Sequence, residues 1–469
     1  MPVFSWLAHE LGIKTITNAG YNVHLLLLAR FLRMFAYGSS ALILALYFAA
    51  LGHSDEQIGL FMTLTLLGDV LISFLLTLFA DKLGRRLTLL LGATSMVFSG
   101  IIFALSGNYY LLLLAAIVGV ISPSGNEIGP FRAVEESTIA HLTEPQNRSD
   151  VFAWYVVIGI LGTAFGSAVC GWMVELLQSR RGFSEVDAYH AVFYMYAAVG
   201  VAKASLTLLL TRKCEPEPKP LVAAPPPSLT EPSNSVAAPD ERAPLLPPQS
   251  PPPKRTWKTP LKFLGISSRS LTILLRLCAL FSIDSLASGM VPFSLINFYV
   301  DRKFHIPKNT LGSIMSVTTF ISSISNIFSS ALSKRIGLVK TMVFTHLPSA
   351  IFLGMIPLPS GLTATTILLV ARASLASMDQ APRSAFISAV TLPEERTAVM
   401  GIVNVVKTLS QSGGPVITGI LAGRERFGVA FVVAGCLKAS YDLGLLTFFV
   451  NMRLHERREE RRDEREGRD

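Results

Sequence analysis

Charged side chains inside long apolar stretches are the first candidates for chemistry in this sequence, because a charge among apolar residues is costly to keep. Glu127 and Asp284 have no basic residue one helical turn away along the chain. A carboxylate in such a setting can bind and release a proton, since burial and neighbouring charges decide its protonation state. The sequence therefore predicts that Glu127 and Asp284 carry protons.

A second group of polar residues is suited to hold a polar or anionic solute. Arg383 offers a planar fork of donors and Lys407 a point charge, so both can hold an anionic group. Asp379 stands four residues before Arg383, a spacing that also fits an internal ion pair. The predicted solute contacts are Arg33, Tyr37, Asp379, Arg383, Asn404, Lys407 and Gln411.

Each of these residues has an alternative interpretation, in which it forms a permanent ion pair between helices or extends to a helix end. The alternative applies above all to Arg33, and to Arg132, Glu135 and Glu136 near the end of their apolar stretch. Asp69 has a further alternative, membership of the charged loop that follows its own stretch. The sequence leaves these alternatives open.

Membrane-spanning helices must position these residues. Of the 469 residues 51% are hydrophobic and 16% charged, with a mean hydropathy of +0.48, whereas soluble domains carry roughly 25% charged residues. Twelve apolar runs are long enough to cross a bilayer, which takes roughly 20 residues. They are continuously apolar rather than alternating, so they predict helices and not barrel strands. The runs cover residues 24–51, 57–80, 87–106, 109–136, 150–177, 190–211, 271–300, 310–332, 340–358, 361–390, 397–421 and 426–450.

The twelve runs divide into two related halves of six. A constant offset of 248 maps Pro145, Arg148, Gly166 and Gly171 onto Pro393, Arg396, Gly414 and Gly419. Between the halves, residues 216–253 hold 14 of the 27 Pro and have too little apolar content to fold alone. The predicted organisation is a cytosolic N-terminal segment (1–23), a six-helix bundle (24–211), a Pro-rich cytosolic linker (212–270), a second six-helix bundle (271–450) and a charged cytosolic tail (451–469).

The distribution of basic residues predicts the orientation. Of the 41 Lys and Arg, 25 lie in the loops and tail on the side of the termini, 7 on the opposite side and 9 within the runs. Basic loops stay in the cytosol, so both termini are expected there. The net charge of +9 thus reflects topology, and no nucleic-acid partner is predicted.

A short charged motif lies between the second and third runs. Asp81, Lys82, Gly84, Arg85 and Arg86 match the loop motif of the major facilitator superfamily, which this chain resembles. Thr77 stands where that motif begins with Gly, and the equivalent loop of the second half, 333–337, lacks the Asp.

The resemblance implies an all-α membrane protein with twelve transmembrane helices in two pseudo-symmetric six-helix bundles. It also implies that the charged motif latches the two halves in the outward-facing state. Runs 1, 4, 7 and 10 would line a central cavity, which is where most of the predicted solute contacts fall.

The predicted function is secondary active transport. The sequence contains no phosphate-binding loop, dinucleotide turn or HExxH metal motif, so neither a cofactor nor ATP hydrolysis is expected. Proton-coupled efflux or vacuolar export of a small solute by a monomer is favoured. Glycines at 162, 166 and 171 add only a mild indication of antiport. The alternatives are a proton symporter for a polar or anionic nutrient, a non-transporting receptor on the same fold and a membrane-embedded enzyme.

A sorting signal is predicted in the Pro-rich linker. Glu241 followed after three residues by Leu245 and Leu246 fits an acidic dileucine signal, which sorting adaptor complexes read in cytosolic loops. The predicted location is therefore a vacuolar or lysosomal membrane, with the plasma membrane as the alternative.

Overall fold

The computed structural model describes residues 13–119, 121–123, 130–215, 268–379, 382–383, 386–387, 390–391 and 395–449. Within these ranges the secondary structure is helical and contains no strand. Seven of the described helices are long and apolar enough to cross a membrane by length and composition. Within the described ranges, the continuous apolar runs therefore form helices, as predicted.

The first half contains spans 1 to 6, numbered in chain order. Their helices are Tyr21–Ala50, Asp55–Leu83, Arg85–Leu105, Tyr109–Gly119 continued by Pro130–Leu142, Arg148–Arg181 and Glu185–Leu208. A short helix, Ile13–Thr17, precedes span 1 and is joined to span 5 by a hydrogen bond of 2.8 Å from the Thr15 hydroxyl to the Asp150 carboxylate. Part of the predicted N-terminal segment, 1–23, is therefore packed on the first half.

The second half contains spans 7 to 12. Their helices are Ser268–Met290 continued by Phe293–Phe304, Lys308–Ile336, Leu338–Met355, Leu362–Ala376 followed by the turn Ser377–Asp379, Arg396–Ser412 continued by Gly414–Gly423, and Phe427–Phe449.

Spans 4, 7 and 11 are each divided into two helices. Pro292 begins the second part of span 7, and Pro415 lies in the first turn of the second part of span 11. Proline has no N–H for the helix ladder and is tolerated best in a first turn. Broken helices leave backbone groups unpaired at membrane depth, which is tolerated where the backbone lines a cavity or is covered by protein.

The turns after spans 2 and 8 are single glycines in matching conformations. Gly84 has φ 84° and ψ 156°, and Gly337 has φ 89° and ψ 159°. A positive φ of this kind is readily adopted only by glycine. The same device at corresponding positions of both halves supports their relation by pseudo-symmetry.

The apolar core is continuous between the halves at one end only. At the end opposite the termini, one cluster of buried residues joins parts of both halves, among them Phe48, Phe193, Phe298 and Phe431. Toward the termini, the buried residues form two separate clusters, one within each half. The halves are therefore packed together at the far end and have separate cores at the end of the termini.

Two pairs of glycines close the far end. A methyl group on Gly59 of span 2 would lie 2.9 Å from the Cα of Gly419 of span 11, and one on Gly171 of span 5 would lie 2.9 Å from the Cα of Gly312 of span 8. Side chains do not fit at such separations, so the helix backbones are in direct contact. Gly171 and Gly419 are the residues that the offset of 248 predicts to be equivalent.

Polar contacts add to this closed interface. The Arg302 guanidinium of span 7 forms an ion pair of 2.6 Å with Asp55 at the start of span 2. The backbone N–H of Lys308 donates to the Glu175 carboxylate of span 5 at 3.0 Å. Both contacts join one half to the other at the end opposite the termini.

Candidate functional site

Asp284 of span 7 is the centre of a charge cluster in the second half. The ammonium of Lys438, on span 12, donates to its Oδ1 at 2.7 Å, and a guanidinium N–H of Arg383 donates to its Oδ2 at 2.8 Å. The sequence shows no basic residue one helical turn from Asp284, but two cations contact it in the folded chain. Its cations lie on other helices, where spacing along its own helix cannot reveal them.

Arg383 is held by a second carboxylate as well. Its Nε donates to Asp379 at 3.0 Å, so the pair expected from the spacing of four is confirmed. The guanidinium also lies 5.4 Å from the ring centroids of Phe281 and Tyr441, a favourable cation–π geometry. With two carboxylates on it, Arg383 is already neutralised within the protein.

His346 of span 9 links Asp284 to another carboxylate. Its Nδ1 lies 2.9 Å from Oδ2 of Asp442 on span 12, and its Nε2 lies 3.6 Å from Oδ1 of Asp284. His346, Lys438 and Asp442 are not among the residues predicted from the sequence. Lys438 and Asp442 stand four residues apart inside an apolar run. Because a charged residue within a membrane span is costly and therefore a candidate site residue, both could have been predicted from the sequence.

A second charge cluster occupies the first half, around Glu135 of span 4. Arg33 of span 1 pairs with its carboxylate at 2.7 Å, Lys203 of span 6 lies at 3.5 Å, and the Tyr155 hydroxyl donates to it at 2.7 Å. The Arg30 guanidinium stacks over the Tyr155 ring at 4.6 Å. Arg33, predicted to contact the solute, is thus engaged by Glu135, as its ion-pair alternative states.

The two clusters correspond span by span. The first half brings together Arg33, Glu135 and Lys203 from spans 1, 4 and 6, and the second half Asp284, Arg383 and Lys438 from spans 7, 10 and 12. In each half one carboxylate is held by one Arg and one Lys, and the Lys comes from the last span. In the first half the Arg lies on the first span and the acid on the fourth. In the second half the acid lies on the first span of that half and the Arg on the fourth.

Lys407 of span 11 is a cation near the second cluster that forms none of its described ion pairs. Its ammonium lies 5.6 Å from the Phe281 ring, and among the described side chains no carboxylate is within ion-pair distance of it. Gln411, one turn further, is buried, whereas Asn404 is exposed. Of the predicted solute contacts, Lys407 therefore has the charge most available to a ligand.

Tyr37 lies where the two halves meet. Its ring is 6.5 Å from that of Phe293, at the break in span 7. The other carboxylate predicted to carry protons, Glu127, lies outside the described residues, between the two helices of span 4.

The charged loop after span 2 is bound to its own half. The Glu215 carboxylate accepts hydrogen bonds from the backbone N–H groups of Arg85 and Arg86 at 2.8 and 2.9 Å, and the Arg85 side chain donates to the Cys214 carbonyl at 3.2 Å. Glu215 therefore caps the N-terminus of span 3, next to Gly84. The side chains of Asp81 and Lys82 lie outside the described part of the chain.

The first residues assigned to the linker are packed rather than free. Thr211 exchanges two hydrogen bonds with Asn22, of 2.7 and 3.1 Å. Cys214 is fully buried, and this burial raises the pKa of its thiol. The sorting signal, Glu241 with Leu245 and Leu246, lies beyond this point, outside the described residues.

Comparison with known proteins gives one family model and one relative that each match most of the chain. A family model described as Major Facilitator Superfamily matches residues 26–293 and 277–468. The chain is 33% identical over 453 residues to Uncharacterized membrane protein YJR124C of Saccharomyces cerevisiae, which covers 95% of this chain and 98% of that protein. It is 23% identical to Quinolone resistance protein NorA of Staphylococcus aureus over 36% of this chain and 39% of NorA.

Solved structures show the same fold. A bacterial homolog of the human lysosomal transporter Spinster, inward-facing and unoccupied, gives a TM-score of 0.66 at 15% identity and covers 93% of this chain and 98% of that chain. A D-xylose-proton symporter gives a TM-score of 0.64 at 12% identity, over 91% of this chain and 97% of that chain. At these identities the likeness concerns the arrangement of helices.

Proposed function

Because the chain belongs to the Major Facilitator Superfamily, we propose that it is a proton-coupled secondary transporter that moves a small organic solute by alternating access. Membership of the family indicates a transporter rather than an enzyme. Efflux or vacuolar export is the direction we favour, and the partial likeness to a protein named for quinolone resistance supports it. The observation that carries the proposal of proton coupling is the network of Asp284, His346 and Asp442.

Histidine is the side chain whose protonation changes most readily near neutral pH. His346 is buried between two carboxylates. Together with Asp379, these carboxylates outnumber the cations paired with them, Arg383 and Lys438. Among these paired groups one positive charge is missing, and a proton on the imidazole can supply it, because uncompensated charge is costly at membrane depth. Asp284 and His346 are thus the proposed proton carriers of the second half.

Lys407 supplies the connection between proton and solute. It faces the Phe281 ring without an ion pair among the described side chains, so it can attract an anionic group. Its positive charge also acts on the Asp284 network. When a solute anion neutralises Lys407, one positive charge that stabilises the carboxylates is lost, so the network binds a proton more readily. The same observation favours proton symport of an anionic nutrient as the second candidate function.

The closed far end supports alternating access between two halves. If both termini are cytosolic, as the distribution of basic residues predicts, the structure is closed outside and its separate cores face the cytosol. The glycine pairs at Gly59 and Gly171 are then the contacts that must part when the transporter opens outward.

Flux measurements on the purified protein in liposomes test the proposal. Solutes are first selected by the thermal stabilisation they give, since a ligand that binds the folded state stabilises it by mass action. An imposed pH gradient is expected to drive their flux in the wild type, whereas His346→Gln retains binding and loses the dependence on pH. The matched control is His24→Gln, because His24 is exposed on span 1.

The result that opposes the proposal is specific. Binding of a solute without any flux under a pH gradient would leave the non-transporting receptor as the better description. Flux in which His346→Gln keeps the full pH dependence would refute the assignment of the proton site and leave the carrier intact.

The proposed location is a vacuolar or lysosomal membrane, with the acidic dileucine signal read by a sorting adaptor complex. Replacing Leu245 and Leu246 by Ala is expected to move a fluorescent fusion to the plasma membrane. An unchanged distribution of the fusion would refute the sorting signal. We further propose that the transporter acts as a monomer, since each chain carries both halves of the cavity.

A further inference from the structure

We propose that Asp69 of span 2 is a second proton-binding residue, located in the half opposite to the His346 network. The inference rests on the proposed proton coupling and assigns part of it to the first half. It is carried by the position of Asp69, by its contacts and by the interface that its helix forms.

Asp69 lies at the middle of its helix. Span 2 runs from Asp55 to Leu83, so Asp69 is 14 residues from either end, about 21 Å at the rise of an α-helix. Asp81 of the charged loop is twelve residues away, about 18 Å along the same helix. The sequence alternative that Asp69 belongs to that loop is therefore wrong.

The Asp69 carboxylate has a polar partner but no cation. The hydroxyl of Ser122, at the break in span 4, forms a hydrogen bond with it, and Tyr196 of span 6 is a neighbouring titratable group. Arg33, which Glu135 engages, also lies near Tyr196. Among the described residues Asp69 takes part in no ion pair, and Glu127 lies outside them.

This sets Asp69 apart from the other acids in the middle of the described spans. Glu135, Asp284 and Asp379 are each paired with Arg or Lys, and Asp442 is paired with His346. An ionised carboxylate without a cation is costly at membrane depth unless water reaches it. Asp69 is partly exposed beside a break in a neighbouring helix, so water can stabilise its charged form. When water is excluded from the carboxylate, the protonated form is favoured.

The helix of Asp69 also forms the closed interface. The Thr63 hydroxyl accepts a hydrogen bond of 3.1 Å from the backbone N–H of Val416 at the break in span 11, and Gly59 contacts Gly419. Thr63 is six residues from Asp69, about 9 Å along the helix. A proton from cavity water forms an O–H bond with a carboxylate oxygen of Asp69, and the bond breaks when the proton leaves to the other side. The charge of this residue is thereby linked to the opening of spans 2 and 11.

The test needs no solute, because pH is the probe. The purified protein is placed in phosphatidylcholine vesicles, and the carbonyl stretch of protonated carboxylic acids is followed by infrared difference spectroscopy across the pH range around neutrality. We expect a titrating band in the wild type that is lost in Asp69→Asn and retained in Asp187→Asn, because Asp187 is an exposed acid at the start of span 6. A band that Asp69→Asn leaves unchanged would overturn the proposal.

Ser122→Ala keeps the test independent of the folding of Asp69→Asn. Removing the hydroxyl is expected to shift the frequency of the same band, because the carboxyl group loses a hydrogen bond. An unshifted band would count against the assignment. The two proposals fail separately. If the infrared band behaves as expected but the flux of His346→Gln still depends fully on pH, the results support proton binding by Asp69 and refute the role of the His346 network.

Discussion

Replacing Glu135 by Gln removes the carboxylate that joins Arg33 and Lys203 in the described first-half cluster, while keeping the shape of the side chain. Glu135 is 1% exposed, and the Lys203 side chain beside it is 2% exposed. The substitution leaves Arg33 and Lys203 buried next to a neutral amide, whereas Gln still accepts the Tyr155 hydrogen bond. Breaking a buried ion pair by removing one partner costs about 3–5 kcal/mol of folding free energy. We expect a loss of that size.

The neighbouring residue offers a matched control. Glu136 pairs with Arg132 at 2.7 Å, but these side chains are 34% and 39% exposed. Exposed pairs contribute about 0–1 kcal/mol, so Glu136→Gln is expected to leave the free energy of unfolding nearly unchanged. The two variants differ by one position and make the same chemical change.

Equilibrium unfolding in mixed micelles, followed by tryptophan fluorescence, measures both variants. A double-mutant cycle adds Lys203→Met, which removes a buried cation from the Glu135→Gln background and is expected to recover part of the loss. The reasoning is refuted if Glu135→Gln and Glu136→Gln cost the same, or if Lys203→Met adds its own full cost to that of Glu135→Gln.

Two further predictions concern the interface and the charged loop. Gly312→Leu is expected to hold the far end open, seen as faster labelling of cysteines placed there, whereas Gly401→Leu is harmless because nothing lies within 4 Å of a methyl group at that position; equal labelling in both variants would contradict the packing argument. Glu215→Ala removes the cap of span 3, at a cost of about 0.5–2 kcal/mol, and is expected to speed maleimide labelling of Cys214. Since burial raises the pKa of the Cys214 thiol, less thiolate is present at neutral pH in the wild type, and its labelling should accelerate as pH rises; a wild-type rate as fast as that of Glu215→Ala would contradict the buried setting.

The sequence predicts the architecture well because the membrane imposes it. Continuous apolar runs, the excess of Lys and Arg on one side and the offset of 248 are all visible along the chain, and family membership confirms the twelve-helix fold. Gly171 and Gly419, matched by that offset, lie at corresponding contacts of the closed interface. Helix packing through small residues leaves a direct trace in the sequence.

Partners on different helices are harder to predict. The pair of Asp379 and Arg383 was predicted because residues four apart in a helix are neighbours. No basic residue lies one helical turn from Asp284, and its partner Lys438 is 154 residues away along the chain. His346 was not predicted for the same reason, because its contact with Asp442 forms only when spans 9 and 12 pack together.

The exchange of Arg and acid between the two clusters constrains how the halves diverged after duplication. If both copies began with one arrangement, one of them had to replace Arg by an acid on one helix and an acid by Arg on another. An intermediate with two Arg beside the Lys would have placed three cations together without the carboxylate that now joins them. An intermediate with two acids could share one proton beside the Lys, since neighbouring carboxylates need not both ionise. Each cluster holds a Lys from the last span of its half, Lys203 and Lys438. The route through two acids therefore keeps the charges balanced with one shared proton, and an intermediate on that route would have bound a proton within the membrane.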